Sequence, residues 1–538
     1  MAAPAVPVVL LWALIVASHA AAAPYRPIMP QTGAPQTAAP ADPITLTGHD
    51  LTVEQLVAVA RFGQKAEVSP EAAQNQDEAH ALLLQGAAEG VAIAGFNRAA
   101  DNSGTVLFEG DPAAPEIAAM LQQKQLTAFQ AGAATGAEIA DEEVVRAMMV
   151  VRANTLTYAP ASAPVTQMLL GFLNNGITPA VSAANPLGGV AAAMVGKGDA
   201  YYHGIRMPAA QALSQAGLTT LKPVDDDYNA LTGTEAYAIG RTALLVADGR
   251  LMLEWSDLIF AMDLNGTNAG IAPLALPAQE NRPLKWTYWN AARVLDMLKG
   301  SYLLTEDNPA PRPFPANLDL SLTRQGTAWR AWGTLRDVLL VALNSSDQAL
   351  AVRPGLSQRE SHELASPRLL KYFVKGGRND GGRRGFITPS LNRDLSALAN
   401  DVMAFTGAVS MLNVALAERI AAPLPGTPAA AEEGPVPLNH LHQALETAFG
   451  LLAIDLSNAA RLLDQRAAES ATRTFGAAPT AAWAAFRVAA PVQTTGDVAQ
   501  TAARMFLQSN PPATFYPKGD PPLGSDDAIP LAQEKLER

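Results

Sequence analysis

The chain offers few groups that could do covalent or metal chemistry. None of its 538 residues is a cysteine, which excludes disulfides, thiolate metal ligands and a cysteine nucleophile. The closest histidine pair, His440 and His442, is two residues apart and would lie on different faces of a helix. The sequence contains no G-x-S-x-G segment, which is the nucleophile motif of many serine hydrolases. We therefore predict no metal site and find no hydrolase signature.

Two charged clusters leave alternatives open. Asp225, Asp226 and Asp227 could bind a hard cation through carboxylate oxygens, but a solvated turn is the favoured interpretation. The glycine-rich stretch 375–385 carries arginines that could grip an anion or could lie in a solvated loop. It lacks the G-K-[ST] ending of a phosphate-binding loop, so the loop is favoured.

The elements that would position any site are helices. Apolar residues recur at helical spacing in 51–63, 142–156, 163–176, 234–262, 289–304, 328–346, 396–422 and 440–469. Ser69 before Pro70 predicts a helix cap followed by a first helical residue. Tryptophans recur at three-residue spacing, which favours core or subunit contacts: Trp286 and Trp289, Trp329 and Trp332. The pattern predicts an all-α protein, an elongated helical bundle.

The ends of the chain differ in composition from its middle. Residues 1–23 contain a short apolar run followed by small residues, which predicts a secretory signal peptide and a secreted or periplasmic protein. An uncleaved anchor is the alternative, although the run is shorter than the roughly 20 residues of a membrane span. No second apolar segment suggests a span, so we expect no membrane attachment after cleavage.

The predicted order is a leader, one helical domain and a tail. An Ala/Pro-rich leader covers 24–45, the helical domain covers 46–508, and a Pro-rich tail covers 509–538. The domain is subdivided into an N-terminal part, a central bundle, a linker and C-terminal helices: 46–220, 221–422, 423–437 and 438–508. The formal net charge of −12 with scattered basic residues argues against a nucleic-acid partner.

Several segments occur in the order found in one known family. They read RAMMVVRANTL (146–156), LLGFLNNGITP (169–179), PLGGVAAAMVGKGDAYYHG (186–204), NALTGTEA (229–236), LDLSLTR (318–324) and VALNSSD (341–347). Over about 46–470 the chain resembles the aromatic amino acid ammonia-lyase superfamily, that is, histidine and phenylalanine ammonia-lyases. The resemblance implies the helical ammonia-lyase and fumarase-like fold and a homotetramer.

The resemblance also shows what has changed. The family builds a methylidene-imidazolone electrophile from an Ala-Ser-Gly segment, but residues 178–186 here read TPAVSAANP. Val181-Ser182-Ala183 keeps the serine and lacks the glycine whose nitrogen would close the ring. We therefore predict that the methylidene-imidazolone is absent and that no other cofactor replaces it.

Residues are carried over from the family one by one. Arg324 matches the arginine that pairs with the substrate carboxylate, and it keeps the family's spacing from Asp319, which it could bond instead. Tyr158 lies near, but out of register with, the family's inner-loop tyrosine. The catalytic candidates are Tyr158, Asp319 and Arg324; the candidate substrate-binding residues are Arg324, Asn344, Thr232 and Asn97. For Asn344, a contact between helices is favoured over a pocket position.

Two functions follow. The first is a divergent enzyme with a repurposed pocket, such as a cofactor-free lyase or related enzyme that acts on an aromatic or carboxylate small molecule by proton transfer and electrostatic stabilisation. The second is a catalytically inactive relative that keeps the oligomeric scaffold for binding. Neither hypothesis retains conventional ammonia elimination.

Overall fold

The computed structural model describes most of the chain between residues 42 and 517. The described residues are 42–90, 93, 95–99, 105–133, 140–157, 159–275, 278, 285–305, 316–344, 396–421, 438–494 and 496–517. They divide into two compact units, one drawn from 34–244 and 337–397 and the other from 245–336 and 398–538. The predicted signal peptide, the glycine-rich stretch 375–385 and the predicted linker 423–437 lie outside the described residues.

The described part is mainly helical, which confirms the predicted fold class. The helices are α1 Val53–Ala60, α2 Pro70–Ala88, α3 Pro115–Ala131, α4 Glu142–Leu156, α5 Ala163–Asn174, α6 Pro186–Met194, α7 Ala209–Gln215, α8 Asp227–Thr232, α9 Ala236–Thr267, α10 Lys285–Met297, α11 Ala316–Asn344, α12 Ser396–Ala421, α13 Leu438–Glu469, α14 Ala477–Ala489 and α15 Gly496–Ser509. Short 3₁₀ turns occupy Ala272–Leu274, Tyr302–Leu304 and Pro512–Phe515.

Local capping chemistry sets several helix starts. Ser69 Oγ accepts a hydrogen bond from Ala72 N at 3.1 Å, and Pro70 is the first residue of α2, as the sequence predicts. Thr52 and Gln55 form a reciprocal capping box at the start of α1. Such caps supply partners for amides that have none within the helix.

Five short strands accompany the helices in the part of the chain that the structure describes. Strands β1 Ile44–Leu46 and β2 Ala66–Val68 pair in parallel. Strands β3 Ile177–Pro179, β4 Asp199–Tyr202 and β5 Ile205–Pro208 form an antiparallel sheet in that order. The second sheet fixes the chain on either side of α6, which follows β3 directly.

Each unit has its own core. In the first unit α4 is buried on nearly all sides, from Glu143 to Leu156, and packs against α1, α5 and α8. In the second unit the rings of Trp286, Trp289, Trp329 and Trp332 contact one another in sequence, with centroids 5.5, 5.4 and 5.5 Å apart. Trp289, Trp329 and Trp332 are almost fully buried, which confirms the prediction of core tryptophans.

The start of the predicted tail packs against the second unit. The Phe515 ring lies 5.8 Å from that of Trp255 and 6.0 Å from that of Phe506. The first residues of the predicted tail, as far as Phe515, therefore belong to the folded part of the chain.

One helix is long and apolar enough to cross a membrane by length and composition. It is Leu398–Ile420, with a mean hydropathy of 1.2, and half of its apolar window is buried inside the protein. The sequence pattern predicted no second segment of this length and composition, and this helix corrects that prediction. Core helices of water-soluble proteins meet the same criterion, and the buried Arg419 of this helix pairs with Asp455 of α13.

Candidate functional site

The connection between β3 and α6 is a tight turn of residues 180–185. Ala180 N donates to Asp199 O at 2.9 Å, and Ala140 N donates to Val181 O at 2.9 Å. Val181 is fully buried against α6, where a Cβ on Gly189 would lie 2.7 Å from Val181 Cγ1. Gly189 is therefore required for the close approach of this turn.

Ser182 takes part in the turn and is nearly buried. Its Oγ accepts from Ala184 N at 3.2 Å, and its carbonyl accepts from Asn185 N at 3.2 Å. Asn185 Oδ1 in turn accepts from Gly188 N at 3.2 Å and caps α6. The serine therefore stabilises the start of a helix through its local bonds.

A second feature of the first unit ties the loop 159–162 to the start of α8. Asp227 Oδ1 accepts from Ser162 N at 2.8 Å, and Asp227 Oδ2 accepts from Ser162 Oγ at 2.9 Å and from Val224 N at 2.8 Å. Asp227 is fully buried. Burial raises the pKa of the Asp227 carboxyl, and the bonds from Val224 and Ser162 oppose that rise.

The two preceding aspartates also have specific partners. His80 Nε2 lies 3.0 Å from Asp225 Oδ2. Burial opposes protonation of His80, but its bond to Asp225 and nearby carboxylates raise its pKa overall. Asn229 Nδ2 donates to Asp226 Oδ1 at 2.6 Å, and burial raises the pKa of Asp226 to about 7. The favoured prediction of a solvated turn was wrong, because distant side chains enclose this segment.

The loop containing Asn97 is attached to the same helix. Asn97 Oδ1 accepts from Ile93 N at 2.7 Å, and Asn229 Nδ2 donates to Gly95 O at 3.3 Å. Thr232 Oγ1 donates to Tyr228 O at 2.7 Å within α8. The segments carrying Asn97, Ser162 and Thr232 therefore converge around α8.

Asn344 joins two other segments of the first unit. Its Oδ1 accepts from Leu51 N at 2.7 Å, and its Nδ2 donates to Leu51 O at 2.8 Å. Asn154 Nδ2 donates to Asn344 Oδ1 at 3.3 Å and to Leu343 O at 3.0 Å. This is the interhelix contact that the sequence analysis favoured for Asn344.

A cavity in the second unit lies between α11 and α12, and we call it the Arg324 groove. It has a volume of about 520 Å³ and is partly open. Its lining residues are Arg324, Thr327, Arg330, Ala331, Thr334, Asp401, Ala404, Gly407, Ala408 and Met411. Most of that surface is apolar, with charged groups among small side chains.

Arg324 is the cation enclosed by this groove. Its Nη1 is shielded from solvent and has no hydrogen-bond partner among the described residues. The nearest carboxylate oxygen in an ion pair, Glu418 Oε2, is 3.9 Å away, beyond hydrogen-bond distance. Burial raises the pKa of Asp401 in the same groove. The arrangement can bind an anionic group at Arg324.

Two buried clusters of ion pairs lie in the interior of the second unit. Arg419 Nε donates to Asp455 Oδ2 at 2.7 Å and lies 3.2 Å from Asp263 Oδ2. Arg293 Nε and Trp329 Nε1 donate to Asp257 Oδ2 at 2.8 and 2.9 Å. No set of three or more His, Asp or Glu side chains is arranged to hold a metal in the described part of the chain.

Comparison with known proteins identifies the family. A sequence model described as aromatic amino acid lyase matches residues 51–365, more than half of the chain. The chain belongs to the aromatic amino acid lyase family.

Curated members of the lyase family match at moderate identity. Histidine ammonia-lyase 2 of Fusobacterium nucleatum is 25% identical over 324 residues, covering 58% of this chain and 62% of that protein. Histidine ammonia-lyase of Geobacillus kaustophilus is 27% identical over 470 residues, covering 80% of this chain and 91% of that protein. The chain thus spans about three fifths of some of these lyases and nearly all of others.

Solved structures of two enzymes share the fold. Histidine ammonia-lyase from Trypanosoma cruzi aligns with a TM-score of 0.66 at 17% identity, covering 89% of this chain and 96% of that one. Ergothionase from Treponema denticola, solved with desmethyl-ergothioneine sulfonic acid, aligns with a TM-score of 0.65 at 19% identity, covering 87% and 99%.

The structure places the predicted site residues of this lyase-family chain in two groups. Asn97 and Thr232 lie in segments that converge in the first unit, where Asn344 also lies, whereas Arg324 belongs to the second unit. Asp319 lies in α11, but its side chain, like the whole of Tyr158, is outside the described residues.

The structure shows several residues in or near the candidate sites that were not predicted from the sequence. Asp227 was noted as part of an acidic cluster, but its bonds to Ser162 were not predicted, because that partner is 65 residues away. Asp401 and Arg330 of the groove were also missed. A signal for the groove was present, because Ala404, Gly407, Ala408 and Met411 recur at three- and four-residue spacing on one helix face.

Proposed function

We propose that this protein is a divergent member of the lyase family that binds a small aromatic or aliphatic carboxylate in the Arg324 groove. The observation that carries the proposal is the position of Arg324 in the lining of a largely apolar cavity, together with its Nη1, which has no hydrogen-bond partner among the described residues. A guanidinium in such surroundings forms charge-assisted bonds with a carboxylate. The names of the related lyases support a small-molecule ligand of this kind.

The proposed function does not use the methylidene-imidazolone. The retained Ser182 hydroxyl accepts from Ala184 N, and Val181 is packed against Gly189, so ring closure would disrupt the turn that caps α6. The serine is also followed by alanine instead of glycine. Conventional ammonia elimination is therefore outside the proposed activity.

A cofactor-free reaction would have to use proton transfer and charge stabilisation within the groove. Asp401 is the carboxyl group of the groove that could exchange a proton with a ligand. Arg324 would stabilise negative charge on the ligand. The second candidate function is binding without turnover, and it is favoured by the bonds from Ser162 to Asp227, which hold the loop 159–162 in place.

Calorimetric titration with aryl acrylates, aryl propionates and alkanoates tests the proposal. We expect saturable binding that Arg324→Gln weakens by about tenfold or more, because a charge-assisted pair is lost. Arg461→Gln, which removes an exposed helical arginine, is the matched control and should bind as wild type does. Absence of binding, or equal binding by Arg324→Gln, would contradict the proposal.

Turnover is then tested separately. Each carboxylate that binds is incubated with the protein and the mixture is followed by chromatography and mass spectrometry. A product that disappears in Asp401→Asn would favour the cofactor-free enzyme. Binding without any product in this panel would favour the inactive binding protein.

Export and a homotetrameric assembly complete the proposal. Export rests on the apolar run and small residues of 1–23. The assembly rests on family resemblance. N-terminal sequencing of protein recovered outside the cytoplasm and light scattering of the purified protein test the two statements; an intact N-terminus or a monomer would contradict them.

A further inference from the structure

The turn that leads into α8 connects this helix to α2 and α3 of the first unit. His80 Nε2 of α2 lies 3.0 Å from Asp225 Oδ2. Gln125 of α3 donates from Nε2 to Asp225 O at 2.8 Å, and its Oε1 accepts from Tyr228 N at 2.8 Å. Gln125 is buried, so its amide joins the two ends of the turn inside the unit. We call residues 225–229 the α8 clasp.

The α8 clasp also holds two loops. Asp227 accepts from the amide and the hydroxyl of Ser162 in the loop 159–162. Asn229 Nδ2 donates to Gly95 O at 3.3 Å, and Lys124 Nζ of α3 donates to the same carbonyl at 3.3 Å. The two loops are therefore attached to the rest of the unit through polar contacts with the clasp or with the helix beside it.

The backbone of the clasp is unfavourable at its first residue. Asp225 has a φ of 49°, in the left-handed region that a residue with a Cβ rarely occupies. The bond from Gln125 holds its carbonyl, and the contact with His80 holds its carboxylate. These two contacts therefore stabilise a turn that the local backbone alone disfavours.

Several carboxylates face the imidazole of His80. Asp77 lies on the same helix, and Asp225 and Asp227 belong to the clasp. Burial lowers the pKa of His80, but the bond to Asp225 and the attraction of the three carboxylates raise it overall. The positive charge on His80 therefore strengthens the contact between α2 and the clasp.

Asp226 is the second titrating group of the clasp. Burial raises its pKa to about 7, and repulsion from the neighbouring carboxylates adds to the rise, while the bond from Asn229 and the charge of Lys124 oppose it. When Asp226 is neutral, Lys124 and Asn229 are available to the carbonyl of Gly95. An ionised Asp226 attracts both donors and so competes with that carbonyl.

The shifts act in the same direction on stability. His80 contributes stability that is fully present below its ordinary pKa of 6.5 and is lost as pH rises through its higher folded-state pKa. Asp226 contributes stability that is fully present below 3.8 and is lost as pH rises through about 7. Burial also raises the pKa of Asp227, whose contribution has the same sign. The clasp therefore weakens as pH rises.

We infer that the α8 clasp is a pH-sensitive device that holds the loop 159–162 and the segment of Gly95 in mildly acidic solution and releases them in mildly alkaline solution. The candidate substrate-binding residue Asn97 lies in the second segment, so the clasp links its position to pH. The inference does not depend on carboxylate binding at Arg324, because that residue belongs to the second unit.

Hydrogen–deuterium exchange of the whole protein tests the inference. Exchange is measured at about pH 5.5 and about pH 8.5 and divided by the intrinsic rate at each pH. We expect the protection of the amides of Ser162, Val224 and Tyr228 to fall by about tenfold or more at the higher pH. The amides of the β4 and β5 pair, in the same unit, should change by less than about twofold.

Two variants test the groups responsible. His80→Gln keeps a donor for Asp225 but does not titrate, and Asp226→Asn keeps the shape of the neutral carboxyl. Each should remove part of the pH dependence of protection at the clasp. His440→Gln, at an exposed histidine of the second unit, is the matched control and should behave as wild type does.

The wild-type comparison already decides whether the change with pH is local, so it stands if either variant fails to fold. An equal loss of protection in the clasp and in the β4 and β5 pair would overturn the inference. Protection at the clasp that does not change with pH, or that keeps its full pH dependence in both variants, would also overturn it.

Discussion

Asp227 accepts both the backbone N–H and the hydroxyl of Ser162, at 2.8 and 2.9 Å, across 65 residues of sequence. The carboxylate is fully buried, so these bonds replace its hydration. This single side chain joins the start of α8 to the loop that precedes α5. The loop is therefore held by a buried anchor within the first unit.

Asp227→Asn is expected to lower the free energy of unfolding by about 1–3 kcal/mol, because an amide nitrogen replaces one accepting oxygen and leaves a buried donor unpaired. Ser162→Ala should cost less, about 1 kcal/mol, since only the hydroxyl bond is lost. Urea denaturation measures both, and the double variant should be less destabilised than the sum. Ser214→Ala, at an exposed serine, is the control. Additive effects of the two substitutions would show that the side-chain bond contributes no coupling.

Asn344→Ala is expected to destabilise the protein by about 2 kcal/mol, because both Leu51 backbone groups lose their partner. Asn344→Asp keeps the acceptor for Leu51 N and loses the donor to Leu51 O, so its effect should be distinct and should depend on pH. Thermal unfolding at several pH values measures the difference. Wild-type stability in both variants would exclude Asn344 from this structural role.

The buried pair Asp263 and Asp455 predicts a pH dependence of stability. Burial raises the pKa of Asp263 well above 3.8, and repulsion from Asp455 adds to the rise while Arg419 opposes it. An acid whose folded-state pKa is raised contributes stability that is fully present below its ordinary pKa and is lost as pH rises through the folded-state pKa. We therefore expect the stability of wild type relative to Asp263→Asn to fall as pH rises from acidic to neutral values.

Chemical denaturation of both proteins across that pH range measures this difference. Asp263→Asn is the suitable comparison because its amide has nearly the shape of the protonated carboxyl and does not ionise. A difference that stays constant with pH would show that Asp263 does not hold a proton in the folded protein.

Local chemistry made part of the fold predictable from sequence. Ser69 and Pro70 determine a helix start by themselves, and Trp329 and Trp332 share a buried helix face because of their spacing. The family was visible because segments such as 146–156 retain their order and type. These features depend on neighbours within a few residues or on inherited packing.

The rest of the fold and of the candidate site depends on partners distant in sequence. Asp225 and Asp227 resemble parts of a solvated turn until His80, 145 residues from Asp225, and Ser162, 65 residues from Asp227, bond to them. The Arg324 groove likewise requires the pairing of α11 with α12, which no local pattern specifies. Arg324 itself was predicted only because its type and spacing are retained from the family.

We propose that the chain keeps the lyase fold without the family's electrophile. The mass of the tryptic peptide 153–197, which follows Arg152, ends at Lys197 and contains Val181-Ser182-Ala183, tests this proposal. Ring closure and dehydration of the serine would each remove one water. We expect the unmodified mass of that peptide; a peptide lighter by two water molecules in the wild type, and not in Ser182→Ala, would show that the electrophile forms.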